Sequence, residues 1–102
     1  MKAKELARQI KRNKGPVVID VRSGFEYRSG HIPGALHASL LKLFFRRVKL
    51  PDDLGTPLVL TCEHGPRAQV AKGMLEKRGY RSVTLLDEQM VGWRRYDLPL
   101  ER

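Results

Sequence analysis

Three short, mostly apolar runs constrain the fold of this chain more than any other feature. VVIDV (residues 17–21), LVLT (58–61) and VTLL (83–86) are rich in valine, isoleucine and leucine, and stretches with helical spacing separate them. Continuous apolar runs of this length are typical of strands that are covered on both faces, as in parallel sheets. We therefore predict an α/β fold with a central, mainly parallel β-sheet flanked by helices.

The remaining segments carry helix or turn signals. Helices are predicted where apolar side chains recur three or four positions apart: residues 2–14, 40–48, 68–78 and 91–96. Turn and loop residues dominate two other segments: residues 30–35 (GHIPGA) and 51–57. Gly15 and Pro16 end the first helix, and Gly79 suits the position directly after the third.

Length and composition predict one domain over residues 1–102. The chain has 102 residues, of which 41% are hydrophobic, so it can build a core without a disulfide or a structural metal. Cys62 is the only cysteine, which excludes an internal disulfide and favours a reducing compartment. No run approaches the ~20 apolar residues of a membrane span, and the N-terminal segment lacks the apolar core of a secretory signal. We therefore expect a cytoplasmic protein.

The formal net charge of +9 bears on partners rather than on fold. The basic residues fall into three groups: Lys2, Lys4, Arg8, Lys11, Arg12 and Lys14; Lys42, Arg46, Arg47 and Lys49; Arg94 and Arg95. Few aromatic residues lie among them, so no nucleic-acid partner is expected. The charge suits a small anion, an acidic protein or an anionic membrane, and equally a solvated surface. The amphipathic segment 40–50 could dock such a partner or pack its apolar side on the sheet.

Cys62 lies where a predicted strand meets the loop before a predicted helix. Ligands of open α/β sheets bind beyond the carboxyl ends of the strands, and the loop CEHGPR (residues 62–67) begins there. Loop amides and the positive end of the following helix favour a thiolate, which predicts that Cys62 is a nucleophile. Gly65 lets the backbone curl, Pro66 stiffens the turn, and Arg67 can bind an oxyanion through two hydrogen bonds. The alternative is a small buried core thiol.

Four motifs in the same order make the chain resemble the single-domain rhodaneses, which are sulfurtransferases. The matching segments are VVIDVR (17–22), FEYRSGHIPGALHA (25–38), CEHGPRA (62–68, with the pattern Cys-x-x-Gly-x-Arg) and LLDEQMVGWRRYDLPL (85–100). The resemblance runs from about Lys4 to Leu100. It implies a rhodanese-like three-layer domain with a central mainly parallel β-sheet flanked by helices. Trp93, in the last motif, is expected to pack in the core rather than to touch substrate.

The resemblance also implies a reaction. Cys62 would take the outer sulfur of a donor such as thiosulfate, carry it as a persulfide, and pass it to cyanide or a thiol. The implied substrate-binding loop consists of Glu63, His64, Gly65, Pro66 and Arg67, and no metal or organic cofactor is implied. His64 could orient substrate, move a proton, or point to solvent. We expect a small anionic sulfur donor, a thiol or cyanide acceptor, an acidic protein partner and a monomer.

Four further motif residues have supporting roles in this comparison. Asp20 and Arg22 lie at the end of the first strand, and in the family such residues organise neighbouring loops through hydrogen bonds or ion pairs. Glu26 and His31 are expected to do similar work. The resemblance therefore implies a structural role for all four.

Two departures from the family pattern bear on the site. Glu88 and Gln89 stand where the family often has a Gly-Gly pair, which puts the local turn in doubt. Glu63 adds negative charge to the rim and should weaken an anionic donor unless Arg67 or His64 compensates. Thiosulfate would then be a surrogate for a native donor such as a protein persulfide.

Two alternative functions remain open at this point. Phosphatases and arsenate reductases built on the same fold use Cys-x5-Arg, whereas Cys62 and Arg67 form the shorter Cys-x4-Arg, which favours sulfur over phosphate. The second alternative is a rhodanese-fold interaction or sulfur-relay module with little turnover. Cys62 argues against a dead site, although a cysteine alone does not establish turnover.

Overall fold

The computed structural model describes all 102 residues, Met1–Arg102, and contains one four-stranded sheet with helices packed on it. The strands are β1 (Val17–Asp20), β2 (Leu36–His37), β3 (Leu58–Thr61) and β4 (Val83–Leu85). The helices are α1 (Ala3–Lys11), α2 (Gly24–Ser29), α3 (Leu40–Phe44), α4 (Pro66–Lys77) and α5 (Gln89–Arg95). None of these helices has the length and apolar composition that crossing a bilayer requires.

The sheet has the strand order β2-β1-β3-β4, and all its pairings are parallel. In the central ladder Val18 pairs with Val59, and Val59 in turn pairs with Thr84 of β4. All four residues of β3 are buried, which explains why this strand is a continuous apolar run. The prediction of a mainly parallel α/β sheet is confirmed.

Side-chain alternation across the sheet divides the core into two parts. Ile19, Leu58 and Leu60 lie on the face covered by α3 and α4, whereas Val18 and Val59 lie on the face covered by α1 and α5. The two faces give the three-layer arrangement that the resemblance implies.

Trp93 is a central residue of the second core, as predicted. It is 1% exposed and packs with residues of α1 and of both central strands. Its indole Nε1 donates a hydrogen bond to the carbonyl of Pro99 at 2.8 Å, so its one polar atom is satisfied.

Helix boundaries differ from the predicted ones for local backbone reasons. Helix α4 begins at Pro66, two positions earlier than predicted, because proline suits the first helical position, where no backbone donor is needed. Helices α1 and α3 end earlier than predicted, and each is followed by a residue with left-handed backbone, Asn13 (φ 55°) and Arg46 (φ 55°). Helix α4 ends at Lys77 with Arg78 as its C-cap, and Gly79 follows with a φ of 104°, so its predicted role at the helix end is confirmed.

Two elements were not predicted. Helix α2 has no buried residue, so it lacks apolar periodicity, but Ser23 and Glu26 form a capping box at its start. Strand β2 has only two residues, and it forms because Leu36 pairs with Ile19 at the edge of β1.

Helix α3 is apolar on more than the side that meets the sheet. Leu43 is 2% exposed and belongs to the first core, which confirms that part of the segment packs on the sheet. Leu41, Phe44 and Phe45 face solvent, with exposures of 71%, 71% and 61%. Exposed apolar side chains in such a group are uncommon on a surface that meets only water.

Candidate active site

Cys62 directly follows β3 and lies on the same side of the sheet as Leu58 and Leu60, in the first core. The residue is 0% exposed. The backbone N–H of Gly65 donates a hydrogen bond to Cys62 Sγ at 3.0 Å. Gly65 has a φ of 126°, which side-chain-bearing residues rarely adopt, and it is the N-cap of α4. The sulfur therefore lies beside the N-terminal end of that helix.

A turn after β4 holds the start of the loop 62–67 from the other side. Gln89 is 4% exposed, and its Oε1 accepts a hydrogen bond from the Cys62 N–H at 2.5 Å. Its Nε2 donates to the carbonyl of Leu86 at 2.7 Å. The N–H groups of Met90 and Val91 donate to the carbonyls of Cys62 and Glu63 at 3.1 and 3.3 Å. The loop backbone is thus tied to the first turn of α5.

Glu88 and Gln89, which replace the family's Gly-Gly pair, keep the left-handed backbone that glycine adopts most readily. Glu88 and Gln89 both have left-handed backbone, with φ of 61° and 56°. Non-glycine residues adopt this region at an energetic cost of the order of 1 kcal/mol each. Gln89 offsets that cost with its two buried hydrogen bonds, so the substitution adds a contact to Cys62 that a glycine cannot make. The role of Gln89 was not predicted from the sequence.

Arg67 forms a bidentate ion pair with Glu26. Nη1 lies 2.6 Å from Oε1 and Nη2 lies 3.0 Å from Oε2. Hydrogen bonding to Arg67 lowers the pKa of Glu26 from 4.5 to about 2, and the same bond raises the pKa of Arg67. Glu26 also accepts a hydrogen bond from the N–H of Ser23, so it joins the loop to α2. The guanidinium fork is therefore occupied by a carboxylate in this structure.

The charge of Glu63 is compensated by two arginines. Its Oε1 lies 3.6 Å from Arg22 Nη1, and its Oε2 contacts the guanidinium of Arg94. Neither of the two residues considered from the sequence pairs with it, because Arg67 pairs with Glu26 and His64 is exposed. The α5 cation Arg94 was out of reach of local sequence reasoning.

Asp20 and Arg22 form a buried pair at the end of β1. Their side chains are 0% and 3% exposed, and Arg22 Nη2 lies 2.8 Å from Asp20 Oδ2. Arg22 Nη2 also donates to the carbonyl of Gly30 at 2.7 Å. The pair therefore connects the strand end to the turn that contains His31. Its contacts are those of a residue pair that organises loops.

His31 is buried and holds the same turn. Its Nδ1 lies 2.8 Å from the carbonyl oxygen of Tyr27, and its ring stacks on that of Tyr27 with centroids 3.7 Å apart. Its Nε2 lies 3.8 Å from a carboxylate oxygen of Glu101. These contacts place His31 in the support of the site rather than beside Cys62.

A depression of about 480 Å³ adjoins the loop 62–67 at Arg67. Arg67 lines it from the loop, Ser23 and Arg28 line it from the α2 region, and His37 and Lys42 line it from the opposite side. Its cationic groups suit a small anion. No group of three or more His, Cys, Asp or Glu side chains is arranged to hold a metal ion.

Comparisons with known proteins agree with this geometry. The model of the rhodanese-like domain family matches residues 2–96. A thiosulfate sulfurtransferase, GlpE of Stutzerimonas stutzeri (strain A1501), is 35% identical over 88 residues, which cover 81% of this chain and 74% of that protein.

Solved structures show the same fold. The Alr3790 protein of Anabaena sp. superposes with a TM-score of 0.87 at 20% identity, covering 99% of this chain and 81% of that one. RPA3614 of Rhodopseudomonas palustris, described as a protein of unknown function and possible tyrosine phosphatase, superposes with a TM-score of 0.80 at 22% identity, covering 98% and 82%. At these identities the likeness concerns the fold alone. With the family match over residues 2–96 and this architecture, the chain belongs to the rhodanese-like domain family.

Proposed function

We propose that this chain is a sulfurtransferase in which Cys62 carries the transferred sulfur as a persulfide. The observation that supports this most directly is the hydrogen bond from the Gly65 N–H to Cys62 Sγ at 3.0 Å, at the N-terminus of α4. A donor in that position stabilises the thiolate before the reaction and the terminal sulfur of a persulfide after it.

The proposed cycle has two transfers. The Cys62 thiolate attacks the outer sulfur of thiosulfate, the sulfur–sulfur bond of the donor breaks, and sulfite leaves with the bonding electron pair. Cyanide or a thiolate then attacks the outer sulfur of the persulfide, and Cys62 leaves as a thiolate. Such a cycle is ping-pong catalysis through a covalent intermediate. We place it in the cytoplasm, where Cys62 and acceptor thiols stay reduced.

Binding of the anionic donor is proposed for the depression beside Arg67. Arg28, Lys42 and Arg67 bring positive charge to its wall. Both terminal nitrogens of the Arg67 guanidinium are hydrogen-bonded to Glu26 of α2, so Arg67 can bind the donor only by sharing or exchanging this carboxylate. A native donor with a lower charge than thiosulfate, such as a persulfide on another protein, would face less competition from Glu26.

A second candidate function is an interaction or relay module with little turnover. The observation that favours it is the complete burial of Cys62, because a donor can reach the sulfur only if the loop shifts. A phosphatase is less well supported, because the loop is one residue shorter than Cys-x5-Arg and its arginine is paired with Glu26.

Intact-mass measurement separates the two candidates. Incubation with thiosulfate should add one sulfur atom to the protein, and cyanide should remove it with the formation of thiocyanate. Cys62→Ser, checked for native circular dichroism, should take up no sulfur. A native-like protein that stays unmodified by thiosulfate would contradict the proposal and favour the interaction module.

A further inference from the structure

We propose that α3 and the turn after it form a docking surface for an acidic protein that presents the acceptor thiol to Cys62. This surface, here called the α3 patch, consists of Leu41, Lys42, Phe44, Phe45, Arg46, Arg47 and Lys49. The proposal rests on the proposed sulfurtransferase function and adds to it the chemical class of the acceptor.

The apolar part of the α3 patch is exposed and continuous. Leu41, Phe44 and Phe45 are each more than half exposed, at 71%, 71% and 61%. The two phenylalanine rings pack edge to face with centroids 5.1 Å apart. Leu41 and Phe45 line a shallow depression of about 280 Å³ together with Arg47. Aromatic side chains grouped in this way are typical of protein contact surfaces.

The charged part of the α3 patch indicates the sign of the partner. The cations of the patch are Lys42, Arg46, Arg47 and Lys49, and none of them takes part in an ion pair. No aspartate or glutamate occurs between Glu26 and Asp52. The positive charge is therefore uncompensated, and an acidic surface is its electrostatic complement.

The α3 patch adjoins the depression that Arg67 lines. Leu41 and Lys42 line the patch depression and also the depression of about 480 Å³ that Arg67 lines beside the loop 62–67. The two depressions are thus neighbours. A protein bound on the α3 patch can therefore extend a side chain from the patch depression into the depression that Arg67 lines. An anionic bilayer would satisfy the charge but has no sulfur acceptor to offer, so the continuity favours a protein.

Sulfur transfer from Cys62 to the docked partner conserves atoms and electrons. The partner thiolate attacks the outer sulfur of the Cys62 persulfide, and a new sulfur–sulfur bond forms on the partner. The bond between Cys62 Sγ and the outer sulfur breaks, and its electron pair stays on Cys62 as a thiolate. The partner gains the sulfane sulfur that Cys62 loses, and no external oxidant or reductant is required.

Synthetic peptides with a single cysteine provide the test. One peptide places glutamates and leucines around the cysteine; a second replaces glutamate by lysine; a third replaces leucine by serine. The persulfide form of the protein should transfer sulfur to the first peptide about tenfold faster than to the other two, as expected for the loss of a few well-packed or complementary contacts. Rates are followed by the mass of the peptide.

Variants locate the preference. Phe44→Ser/Phe45→Ser and Arg46→Glu/Arg47→Glu should each reduce transfer to the first peptide about tenfold, while transfer to cyanide stays within about twofold of wild type. Two control variants should leave both rates unchanged. Val70→Ser changes an apolar side chain that is 56% exposed on α4, and Lys14→Glu replaces a cation outside the patch by a glutamate. Equal rates for all three peptides, or equal losses in patch and control variants, overturn the proposal.

Direct binding keeps the docking test separate from the chemistry. Fluorescence anisotropy with a labelled first peptide and the Cys62→Ser protein should show binding that weakens in the patch variants and with rising salt. If this binding is present but no persulfide forms, the proposed function fails and the docking surface stands. Binding to phosphatidylglycerol vesicles that is lost in the patch variants, without any preference among peptides, would replace the protein partner by a membrane.

Discussion

Replacement of Gln89 tests whether the turn after β4 positions the loop 62–67 that carries Cys62. The side chain is 4% exposed, and its Oε1 is the acceptor for the Cys62 N–H. Gln89→Leu keeps a side chain of similar size in this place but leaves the Cys62 N–H without a partner. Gln89→Gly also removes the acceptor, but it opens space for a water molecule and suits the φ of 56°.

The two variants should differ in stability in a way that the structure specifies. A buried donor without a partner costs about 1 to 3 kcal/mol, so Gln89→Leu should lower the free energy of unfolding by that amount. The carbonyl of Leu86 loses the side-chain bond but still accepts the backbone N–H of Gln89 at 3.3 Å, which limits the loss. In Gln89→Gly, relief of the left-handed conformation returns about 1 kcal/mol, so its net loss of stability should be smaller than that of Gln89→Leu by about this amount.

Urea titrations measure both values, and thermal melts should show a fall of about 4 to 8 °C for each kcal/mol lost. Because the same bond holds the Cys62 backbone, thiosulfate:cyanide turnover should fall in Gln89→Leu mainly through kcat, with little change in KM. Val70→Ser serves as a surface control. A Gln89→Gly protein that is as unstable as Gln89→Leu, or a Gln89→Leu protein with wild-type stability and kcat, would refute the reasoning.

Three further predictions concern the ion pairs around the loop. The pKa of Glu26 lies at about 2 instead of 4.5, so its stabilisation is complete above pH 4.5 and is lost as the pH falls toward 2. Glu26→Gln should therefore lower the free energy of unfolding at pH 7 by about 1 to 2 kcal/mol, a value discounted for the partial exposure of the pair. Near pH 2 the same substitution should lower it only slightly. Equal losses at both pH values would contradict this assignment. Arg67→Ala should raise the KM for thiosulfate, and the fall in kcat/KM should correspond to about 1.5 to 3 kcal/mol of lost transition-state stabilisation. An unchanged KM would exclude donor binding by Arg67. Glu63→Gln should improve thiosulfate use by no more than about threefold, because Arg22 and Arg94 already compensate the carboxylate, and a larger gain would show that this compensation is ineffective.

The strands that could be predicted are those in which burial requires apolar residues. The apolar runs of β1 and β3 were recognisable because a strand that is buried on both faces excludes polar residues at nearly every position. Strand β4 lies at the edge of the sheet with Thr84 exposed, and it was recognised from its valine and leucines. Strand β2 carries no such constraint, since Leu36 and His37 exist as a strand only through their pairing with Ile19 and Asp20. Its presence depends on a contact that no local pattern records.

The site divides in the same way. Cys62, Gly65 and Arg67 lie within six consecutive positions, so their chemistry could be inferred from one short motif. The partners that hold them are distant: Gln89 lies 27 positions from Cys62, and Glu26 lies 41 positions from Arg67. The predicted catalytic role of Cys62 and the predicted donor contact of Arg67 remain predictions that the experiments above can decide.

Because the only cysteine is buried in the folded protein, its exposure to solvent changes during folding. The central ladder joins Val18 to Val59, and parallel pairings between such distant segments form slowly. Until that ladder closes, the sulfur of Cys62 is open to solvent, whereas in the folded protein the residue is 0% exposed. A brief pulse of thiol reagent during refolding should therefore label chains whose sheet is still open faster than folded chains. The newly made chain is then most vulnerable to oxidation of its single sulfur atom during the interval before its two central strands meet.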